Sequence, residues 1–434
     1  MEDLLAQAVV AAEEAEVFTV SSEGTLIQFE ANRLKYLQTK QQTSVALRLI
    51  RQGRVGYATT TDIGERRNLV SNAVETAQFG MLAEFQLPAS GVYSPVAVFD
   101  AGVVSVANEA MIQLGEEMVA SVTAYTPGII CEAEVAKGTV SVSIRNSRGG
   151  QADYRKSYFS MGIEGSLVND TDMLFVGEIV SSCHPLSNSG AVAGAVLRQL
   201  ELAKDRASVP SKSLPVVFTP GGVASALIEP LMAAFNGKTV LKGASPIGTK
   251  LGQAVFDRKF RLRDDPTVGY RPSSRPCDDE GVPSQCTTLV EEGVVTGFIY
   301  DLQTAAMAHT HSTGNGSRNH GGLPLPAPSA FVIAPGDTDF TEMVQDIKEG
   351  LVVEQLMGAG QGNVLGGDFS GNVLLGYKVE NGKIVGRVKN TMVSGNIYQA
   401  LKQVAAIGRE AKWVDGFLQT PPIYCPGLSV ASKR

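Results

Sequence analysis

The chain begins with a stretch of helical spacing, and short segments of alternating apolar and polar residues follow it. Apolar residues recur at helical intervals in Leu4–Ala15 and in Arg66–Phe79, so both are predicted helices. Between them, the alternation predicts four strands: Val17–Val20, Thr25–Glu30, Ser44–Ile50 and Val55–Thr59. The turn Arg51–Arg54 predicts a hairpin between the last two strands. Leu87–Pro95, rich in Pro, Ser and Gly, is a predicted linker.

The same order of helix and strands recurs in the middle of the chain. Asn108–Tyr125 is a predicted helix, Ile129–Ile144 is predicted to form two strands around Lys137 and Gly138, and Asp153–Asn169 continues in strands. A further helix is predicted over Ala191–Lys204, and the repetition is compatible with a structural duplication. This pattern predicts an α+β fold and does not fit a doubly wound parallel sheet.

The last part of the chain is rich in predicted strands. Pro215–Phe218 is a predicted strand and Gly222–Phe235 a predicted helix. The other predicted strands are Cys286–Val290, Val294–Tyr300, Phe331–Ile333, Val373–Val379 and Lys383–Lys389. Phe340–Glu349 and Ile397–Ile407 are predicted helices. Asn381-Gly382 is a strong signal for a hairpin turn.

The length of 434 residues predicts more than one domain, because a single core stops growing well below that size. The loop Ser208–Lys212 is the predicted boundary. We expect an N-terminal α+β domain over residues 1–207, with sub-segments of about 1–86 and 96–207, and a strand-rich C-terminal domain over residues 213–434.

The chain is acidic, with 37 Lys and Arg against 44 Asp and Glu, a net charge of −7 and a pI of about 5.3. Proteins that bind DNA or RNA carry clustered Lys and Arg, because these side chains replace the counterions of the phosphates. The sequence has no such cluster, so nucleic acid is not an expected partner.

No targeting or membrane segment is predicted. Met1–Asp3 is acidic and does not start a secretory signal, and prolines and Glu229 interrupt the most apolar stretch, Leu214–Phe235, so that it cannot span a bilayer as one helix. The cysteines are odd in number and form no CxxC pair, which favours reduced thiols: Cys131, Cys183, Cys277, Cys286 and Cys425. We therefore expect a cytoplasmic protein.

Short segments between residues 277 and 396 resemble, in their order and spacing, the TldD/TldE peptidase family, also called PmbA. They are Cys277–Gly281, Leu289–Val294, Ser312–Arg318, Gly367–Ser370, Tyr377–Lys383 and Thr391–Asn396. Gly53–Phe79 is similar to the first domain of the family. The resemblance covers nearly the whole chain.

The resemblance implies a two-domain α+β protein that pairs with a related subunit. In such pairs the TldD-type subunit is a zinc peptidase, and the complex cleaves unfolded or leader peptides, including microcin precursors and antitoxins. The family is also named after modulation of DNA gyrase, but the acidic charge of this chain does not support direct action on DNA. Zinc is expected only in a TldD-type partner, and this chain is expected to need no cofactor.

The zinc site of the TldD-type members has no counterpart in this sequence. Those members carry HExxxH on the helix that opens the C-terminal domain, where two His bind zinc and the Glu is the general base. The corresponding positions here are Ile228 and Ala233, which cannot bind zinc. Glu229 aligns with the base and is a weak catalytic candidate, with a capping or packing role favoured. The third ligand, a Cys, is missing from Trp413–Thr420, and Cys425 is predicted to be a buried strand residue.

Other combinations of reactive residues were weighed against simpler interpretations. His309 and His311 would lie on one face of a strand, with His320 close in sequence, and could bind a metal. A polar surface loop is the favoured alternative, because a metal site needs a third ligand and supporting hydrogen bonds. Cys183 and His184 are adjacent and would point to opposite faces of a strand, so they cannot act as nucleophile and base.

The function predicted is a non-catalytic, TldE-like subunit that lines a peptide channel, with a free-standing peptide-binding homodimer as the alternative. A hydrolase that uses no zinc is not favoured by the residues present. Ser312, Thr313, Gly314, Asn315 and Arg318 are the predicted substrate-binding residues, because a Gly-rich loop lets a peptide backbone approach closely. A structural turn is the alternative for this loop. Arg318 is expected to be free to reach into a cavity.

Overall fold

The computed structural model describes residues 2–62, 64, 68–170, 172–319 and 322–433, and its first half is built around one antiparallel sheet. In the described residues the strand order is β3-β2-β1-β4-β5-β6. The elements are α1 (Glu2–Ala11), β1 (Glu14–Glu30), β2 (Arg33–Arg51), β3 (Arg54–Thr60), α2 (Leu69–Ala77), α3 (Ala101–Ser105), α4 (Asn108–Tyr125), β4 (Ile130–Asn146), β5 (Gln151–Asn169), β6 (Asp172–Ser182) and α5 (Ser189–Leu202). Two helix-and-three-strand units therefore meet where β1 pairs with β4.

The strands of this sheet are longer than their apolar alternation predicts. The two segments predicted at Val17–Val20 and Thr25–Glu30 belong to one strand, β1. The break predicted at Lys137 and Gly138 is wrong, because β4 continues through it with Gly24 opposite Gly138. A methyl group added to Gly138 would come within 2.4 Å of the Glu23 carbonyl oxygen and 2.5 Å of the Tyr158 hydroxyl. This glycine therefore permits close packing within a strand and does not form a turn.

The two faces of the sheet have different partners, because side chains alternate along each strand. Val17, Leu47 and Leu49 pack with residues of α1 and α2, and Phe29 lies in the core that includes α4. Phe18 and its neighbours on the opposite face pack with Cys277 of the C-terminal half. The second face is therefore the one that meets the rest of the molecule.

One side of β2 is unpaired over much of its length. β3 pairs only with Val45–Arg51, whereas β1 pairs with all of β2. Within the described residues, Arg33–Ser44 thus has a strand on one side only.

The second half of the chain contains two further sheets over the described residues, of order β15-β8-β22-β18-β16-β17-β7 and β11-β10-β9-β14-β21-β20, with β19 pairing with β22 and β12 with β13. The elements are β7 (Arg206–Ala207), β8 (Lys212–Phe218), α6 (Pro220–Ala226), α7 (Ile228–Phe235), α8 (Gly237–Leu241), β9 (Leu262–Asp264), β10 (Thr287–Glu291), β11 (Val294–Val295), α9 (Leu302–Met307), β12 (Gly316–Ser317), β13 (Leu325–Pro326), β14 (Phe331–Ile333), α10 (Phe340–Gln345), β15 (Glu349–Met357), β16 (Asp368–Glu380), β17 (Lys383–Val388), β18 (Thr391–Asn396), α11 (Ile397–Lys402), β19 (Ala406–Ile407), β20 (Lys412–Val414), β21 (Leu418–Thr420) and β22 (Ile423–Ser432).

Several predicted elements of this half differ from the structure. The helix predicted over Gly222–Phe235 is two helices that meet at Leu227, which ends α6 and begins α7. Pro230 lies in the first turn of α7, where a missing N–H breaks no helical hydrogen bond. The strand predicted at Val294–Tyr300 ends at Val295. The hairpin turn at Asn381-Gly382 is confirmed: both residues have positive φ, 49° and 77°, as a type I′ turn requires.

The two halves share a hydrophobic core. Phe159 of the N-terminal sheet, Val196 of α5 and Tyr377 of β16 belong to the same buried cluster, so α5 lies between two sheets. β7 pairs with β17 in the large C-terminal sheet, and the predicted boundary Ser208–Lys212 lies just after β7. The α+β prediction is confirmed, whereas the domain limits stay a prediction. No helix among the described residues is long and apolar enough to cross a bilayer.

Candidate functional site

A cleft of ≈ 670 Å³ separates the second face of the N-terminal sheet from loops of the C-terminal half. On the strands, nearly all the residues that line it are even-numbered, as the two-residue repeat of a strand requires. Its lining residues are Phe18, Val20, Ser22, Gln42, Ser44, Thr61, Val140, Val142, Tyr154, Lys156, Ser157, Tyr158, Pro272, Ser273, Arg275, Asp279, Ser317, Arg318, Pro328 and Ser329. The strand side of the cleft mixes apolar and polar side chains, and the loop side carries the charged residues Arg275, Asp279 and Arg318.

Tyr154, Lys156 and Tyr158 form one side of the cleft and are called the β5 wall. They follow one another on the same face of β5, beyond the residues that β6 covers, because β6 pairs only with Phe159–Asn169. In place of β6, the backbone at Val98 meets this edge of the strand, accepting a hydrogen bond from the Ser157 N–H at 3.0 Å. A loop over residues 270–276 lies across the cleft from the β5 wall. Lys156 donates a hydrogen bond from Nζ to the Pro272 carbonyl oxygen at 2.5 Å, which fixes the loop against the β5 wall.

Lys156 is the cation of the β5 wall and has a perturbed pKa. Burial lowers the pKa of its ammonium group to about 8, because the charged form loses water. The thiol of Cys183 and the charges of Arg275 and Asp279 also act on it. Lys156 therefore changes its charge in a range of pH close to neutral.

The cleft continues past the Pro272–Ser273 turn into a second opening of ≈ 410 Å³. Tyr158, Pro272 and Ser273 line both cavities. The far end is lined by Asp415–Phe417 and by strand residues at the point where β5 and β6 begin to pair, namely Phe159, Ser160 and Ser181. The two cavities therefore lie next to each other along β5.

Arg275 lies at the loop side of the cleft and is buried, with 9% of the residue exposed. Its Nη1 lies 3.4 Å from Asp279 Oδ1, and its Nη2 donates to Ser329 Oγ at 3.1 Å. Its Nε and the hydroxyl of Ser273 are buried atoms with no hydrogen-bond partner in the structure. Unpaired buried donors are uncommon in proteins and call for an explanation.

Glu16, Arg48, Glu280 and Arg318 form a buried cluster, here called the ionic junction. Arg48 of β2 contacts Glu280 at 2.6 Å and Glu16 of β1 at 3.1 Å, and Arg318 pairs with Glu16. Glu16 and Arg48 lie directly opposite each other in the sheet. Because each charge has a partner, the cluster holds the N-terminal sheet to two loops of the C-terminal half.

The loop Ser312–Arg318 meets this junction from the C-terminal side, and the expectation that Arg318 is free is wrong. Its side chain is 1% exposed. It donates from Nε to the Asp279 carbonyl and from Nη1 to the Gly322 carbonyl, both at 3.1 Å. Glu16, a residue far away in sequence, completes the burial of this guanidinium.

The other predicted residues of the loop also make internal hydrogen bonds. Asn315 is 1% exposed and donates to Asp264 at 2.6 Å. The hydroxyls of Ser312 and Thr313 donate to the Tyr300 carbonyl at 3.3 and 3.1 Å, and Gly314 is buried with a φ of 73°. The role of the loop in binding peptide stays a prediction, in which Arg318 contributes to the lining of the cleft.

The acidic segment Asp278–Glu280 supports the loop through backbone hydrogen bonds. Asp278 accepts from the N–H groups of Glu280, Val282 and Gly316. Burial and the negative charge of Glu280 raise the pKa of Asp278 above its usual range. A methyl group on Gly316 would collide with the Glu280 carboxylate at 2.6 Å, so glycine is required there.

The α7 helix, which aligns with the family's zinc-binding helix, does not offer zinc ligands. Ile228 is buried in the C-terminal core, and Ala233 carries no ligand atom. Glu229 is exposed, and a methyl group on Gly360 would lie 2.0 Å from its Oε2, so the carboxylate packs against that glycine. Among the residues that the structure describes, no group of three His, Cys, Asp or Glu side chains is placed to hold a metal. Zinc does not fit the residues present.

The three histidines that the structure describes lie apart from the cleft lining. His309 and His311 follow α9 in an exposed turn, where His309 has a φ of 53°. The favoured surface loop is therefore confirmed, and the strand-face alternative is wrong. His320 lies outside the described residues. His184 contacts Asp100 through Nδ1 at 2.6 Å and stacks on Tyr270, while the neighbouring Cys183 is buried. Cys425 is a buried residue of β22, as predicted.

Sequence reasoning missed the β5 wall and Arg275. The spacing Tyr154-x-Lys156-x-Tyr158 is a usable signal, because it places a cation between two aromatic residues on one face of a strand. The sequence instead favours the Gly-rich loop Ser312–Arg318, because glycine lets a peptide backbone approach closely.

Two family models match the chain. The model for the PmbA/TldA metallopeptidase C-terminal domain matches residues 211–432, and the model for PmbA/TldA metallopeptidase domain 1 matches residues 15–77. The first of these alone covers more than half of the chain.

Individual relatives agree with these matches. An uncharacterized protein of Methanocaldococcus jannaschii is 27% identical over 394 residues, 90% of each chain. The metalloprotease TldD homolog of Haemophilus influenzae is 27% identical over 221 residues, 51% of this chain and 46% of that protein. The match to this named metalloprotease thus spans about half of its length.

A solved structure has the same fold. The crystal structure of TldE from Thermococcus kodakarensis superposes with a TM-score of 0.90 over 100% of both chains, at 20% sequence identity. At that identity the likeness shows the fold alone.

Proposed function

Because the chain belongs to the PmbA/TldD metallopeptidase family, we propose that it is a TldE-like subunit that binds unfolded or leader peptides for a metallopeptidase and does not itself hydrolyse them. The cleft beside the β5 wall, with the second cavity adjacent to it, is the observation that carries this proposal. Tyr158 and Pro272 line both of its openings, so an extended peptide could pass from one to the other.

The chemistry of the cleft lining suits a peptide backbone. Hydroxyls from Ser22, Ser44 and Ser273 lie among apolar side chains such as Phe18 and Val142. Such a surface can satisfy peptide N–H and C=O groups and accept apolar side chains without selecting one sequence. This is the pattern expected of a site that handles unfolded chains.

The residues of α7 support a role without hydrolysis in this chain. A zinc peptidase needs three protein ligands and an open position for water, whereas Ile228 and Ala233 stand where two of the ligands would be. We therefore propose that zinc and the attacking water belong to a TldD-type partner subunit in the cytoplasm. Elemental analysis of the dialysed chain should then show far less than one zinc per molecule.

The proposal is tested with a labelled unstructured peptide, by fluorescence anisotropy for binding and by mass spectrometry for cleavage. The chain alone should bind the peptide and leave it intact, and cleavage should need a TldD-type partner. Cleavage by the isolated chain that survives chelators and is lost in Glu229→Gln would contradict the proposal.

A pair of variants on β2 tests whether the cleft is the binding site. Gln42 lines the cleft, whereas Gln41 is its exposed neighbour on the opposite face of the strand. Gln42→Trp should narrow the cleft and weaken peptide binding at least about tenfold, or about 1.4 kcal/mol. Gln41→Trp adds the same side chain elsewhere and should bind like the wild type. Equal affinities for the two variants would place the peptide outside the cleft.

A further inference from the structure

Two donors in the cleft lack the partners that buried polar groups normally have. The Nε–H of Arg275 and the hydroxyl of Ser273 make no hydrogen bond in the structure, and both residues line the cleft. Arg275 is more than nine-tenths buried, so its unpaired N–H is costly unless a ligand accepts it. The side chain is held in place by Asp279 and Ser329 through its other two nitrogens. It is therefore positioned in advance for a ligand.

Lys156 adds a positive charge that no carboxylate neutralises in the described part of the chain. Its Nζ hydrogen bond goes to the neutral carbonyl of Pro272. Asp279, the acidic residue in the cleft lining, is already engaged by the Arg275 guanidinium and by the backbone N–H of Arg318. The guanidinium of Arg318 is paired with Glu16. The cleft thus keeps about one unpaired positive charge beside the two unpaired donors.

We propose that Lys156, Arg275 and Ser273 form a subsite for a carboxylate group of the bound peptide. This inference rests on the proposed peptide-binding function and deepens it. A carboxylate is an acceptor with two oxygens, which can take the Arg275 Nε–H, the Ser273 hydroxyl and a charge-assisted bond from Lys156. Its single negative charge matches the single unpaired positive charge, whereas a phosphate would bring a larger charge next to Asp279.

Two parts of a peptide carry this chemistry, namely the C-terminal carboxylate and the side chain of Asp or Glu. Four labelled peptides of one unstructured sequence separate them. The first has a free C-terminus and no acidic residue, the second is its C-terminal amide, the third is an amide with one internal Glu, and the fourth is an amide with Gln in place of that Glu. Affinities are measured by anisotropy with the full chain at low salt and pH 7.

The free-acid peptide, the Glu peptide or both should bind roughly 10- to 100-fold more tightly than their neutral counterparts, as a charged hydrogen bond in a buried site allows. A preference for the first peptide identifies the C-terminus, and a preference for the third identifies an acidic side chain. If all four peptides bind equally, the carboxylate subsite is wrong although peptide binding stands. If none binds, the proposed function fails as well.

Variants of Lys156 test whether the preference for carboxylate-containing peptides arises in the cleft. Lys156→Met should abolish the preference for a carboxylate, and Lys156→Arg should retain it, because it restores a cation at the same place. Lys250→Met removes an exposed lysine outside the cleft and should behave like the wild type. Ser273→Ala should reduce the preference by a smaller factor. A preference that survives in Lys156→Met would overturn the assignment.

The pH dependence of the carboxylate preference distinguishes a lysine that binds the carboxylate from one that only supports the fold. Lys156 must be protonated to bind a carboxylate, and its pKa in the free protein is about 8. The other groups that face it are the Cys183 thiol, Arg275 and Asp279, with Tyr154 and Tyr158 on the same strand face. Carboxylate preference should therefore fall as pH rises above about 8 in the wild type and persist to higher pH in Lys156→Arg. Identical profiles for the two proteins would contradict the subsite.

Discussion

The ionic junction and the β5 wall lie close together and both contain buried or half-buried cations. They differ in whether each cation has a carboxylate partner. In the junction, Arg48 and Arg318 are nearly inaccessible and each contacts a carboxylate. In the β5 wall, Lys156 is half-buried and has only a carbonyl partner. The first arrangement satisfies every charge within the chain, whereas the second leaves one charge without a counterion.

The presence or absence of a carboxylate partner distinguishes a cation that stabilises the fold from one that is available to a ligand. A buried ion pair is costly to break, because the remaining charge has no water. A half-buried cation without a carboxylate shifts its pKa and can be stabilised by an external anion. The type of residue alone does not distinguish the two roles, since Arg318 lines the cleft and is nevertheless part of the junction.

The largest effect is expected from Arg48→Met. This change leaves Glu280 without its buried cation and removes one of the two partners of Glu16, so the free energy of unfolding should fall by about 3–5 kcal/mol. Arg33→Met, an exposed position on the same strand, is the control and should change it by less than about 0.5 kcal/mol. Urea unfolding measures both. Equal stability of the two variants would mean that the junction does not hold the halves together.

Gly138→Ala tests whether part of the β5 wall also supports the fold. The added methyl group would meet the Glu23 carbonyl and the Tyr158 hydroxyl, and such overpacking costs about 1–3 kcal/mol. Gly190→Ala in the first turn of α5 would place its methyl group at an ordinary contact distance, 3.7 Å from Asn188 Oδ1, and should be neutral or slightly stabilising. Thermal melts of both variants decide the matter, and an unchanged melt of Gly138→Ala would show that the close packing of Gly138 against Glu23 and Tyr158 does not stabilise the fold.

The pH dependence of stability should distinguish Lys156 from a paired charge. Its folded pKa of about 8 lies below the usual value for lysine, so between about pH 8 and pH 10 the unfolded chain binds more protons than the folded one. The free energy of unfolding of the wild type should therefore rise with pH in that window, relative to that of Lys156→Met. The expected rise is about 1 kcal/mol, less than the full pKa shift implies, because solvent partly screens the half-buried amine. Denaturant midpoints measured at pH 7, 8.5 and 10 test this. A difference that stays constant with pH would contradict the lowered pKa.

The smallest effect on stability is expected from Glu229→Gln. The carboxylate is exposed and packs against Gly360, so the change should alter stability by less than about 0.5 kcal/mol. Cleavage by the complex with a TldD-type partner should be unchanged. A large loss of cleavage would give Glu229 the catalytic role that the residues around it do not support.

The sequence predicted where the apolar strands lie better than how far they extend. β4 was divided at Gly138 because glycine usually ends a strand, but here it lets Tyr158 pack closely. The N-terminal part of β2 was missed because its alternation of polar and apolar residues ends after Tyr36, and the strand there is exposed on both faces. Its strand structure depends on backbone pairing with β1, which a hydrophobic pattern does not reveal.

The candidate site was harder to predict, because its properties depend on residues distant in sequence. Arg318 follows small polar residues and was expected to be exposed, but Glu16, 302 positions away, buries it. Lys156 owes its low pKa to burial, and the carbonyl to which it donates lies more than a hundred residues later. The family resemblance correctly indicated the fold, whereas the separation of structural from available charges required the tertiary structure.

The unpaired side of β2 has a consequence for the behaviour of the protein at high concentration. An open strand edge presents free N–H and C=O groups and can pair with the same edge of another molecule, which starts aggregation. Arg33 and Lys40 lie on this segment, and two such edges brought together would set like charges close to one another. Dissolved salt screens this repulsion over distances of roughly 10 Å. Colloidal stability at a given protein concentration should therefore decline as ionic strength increases.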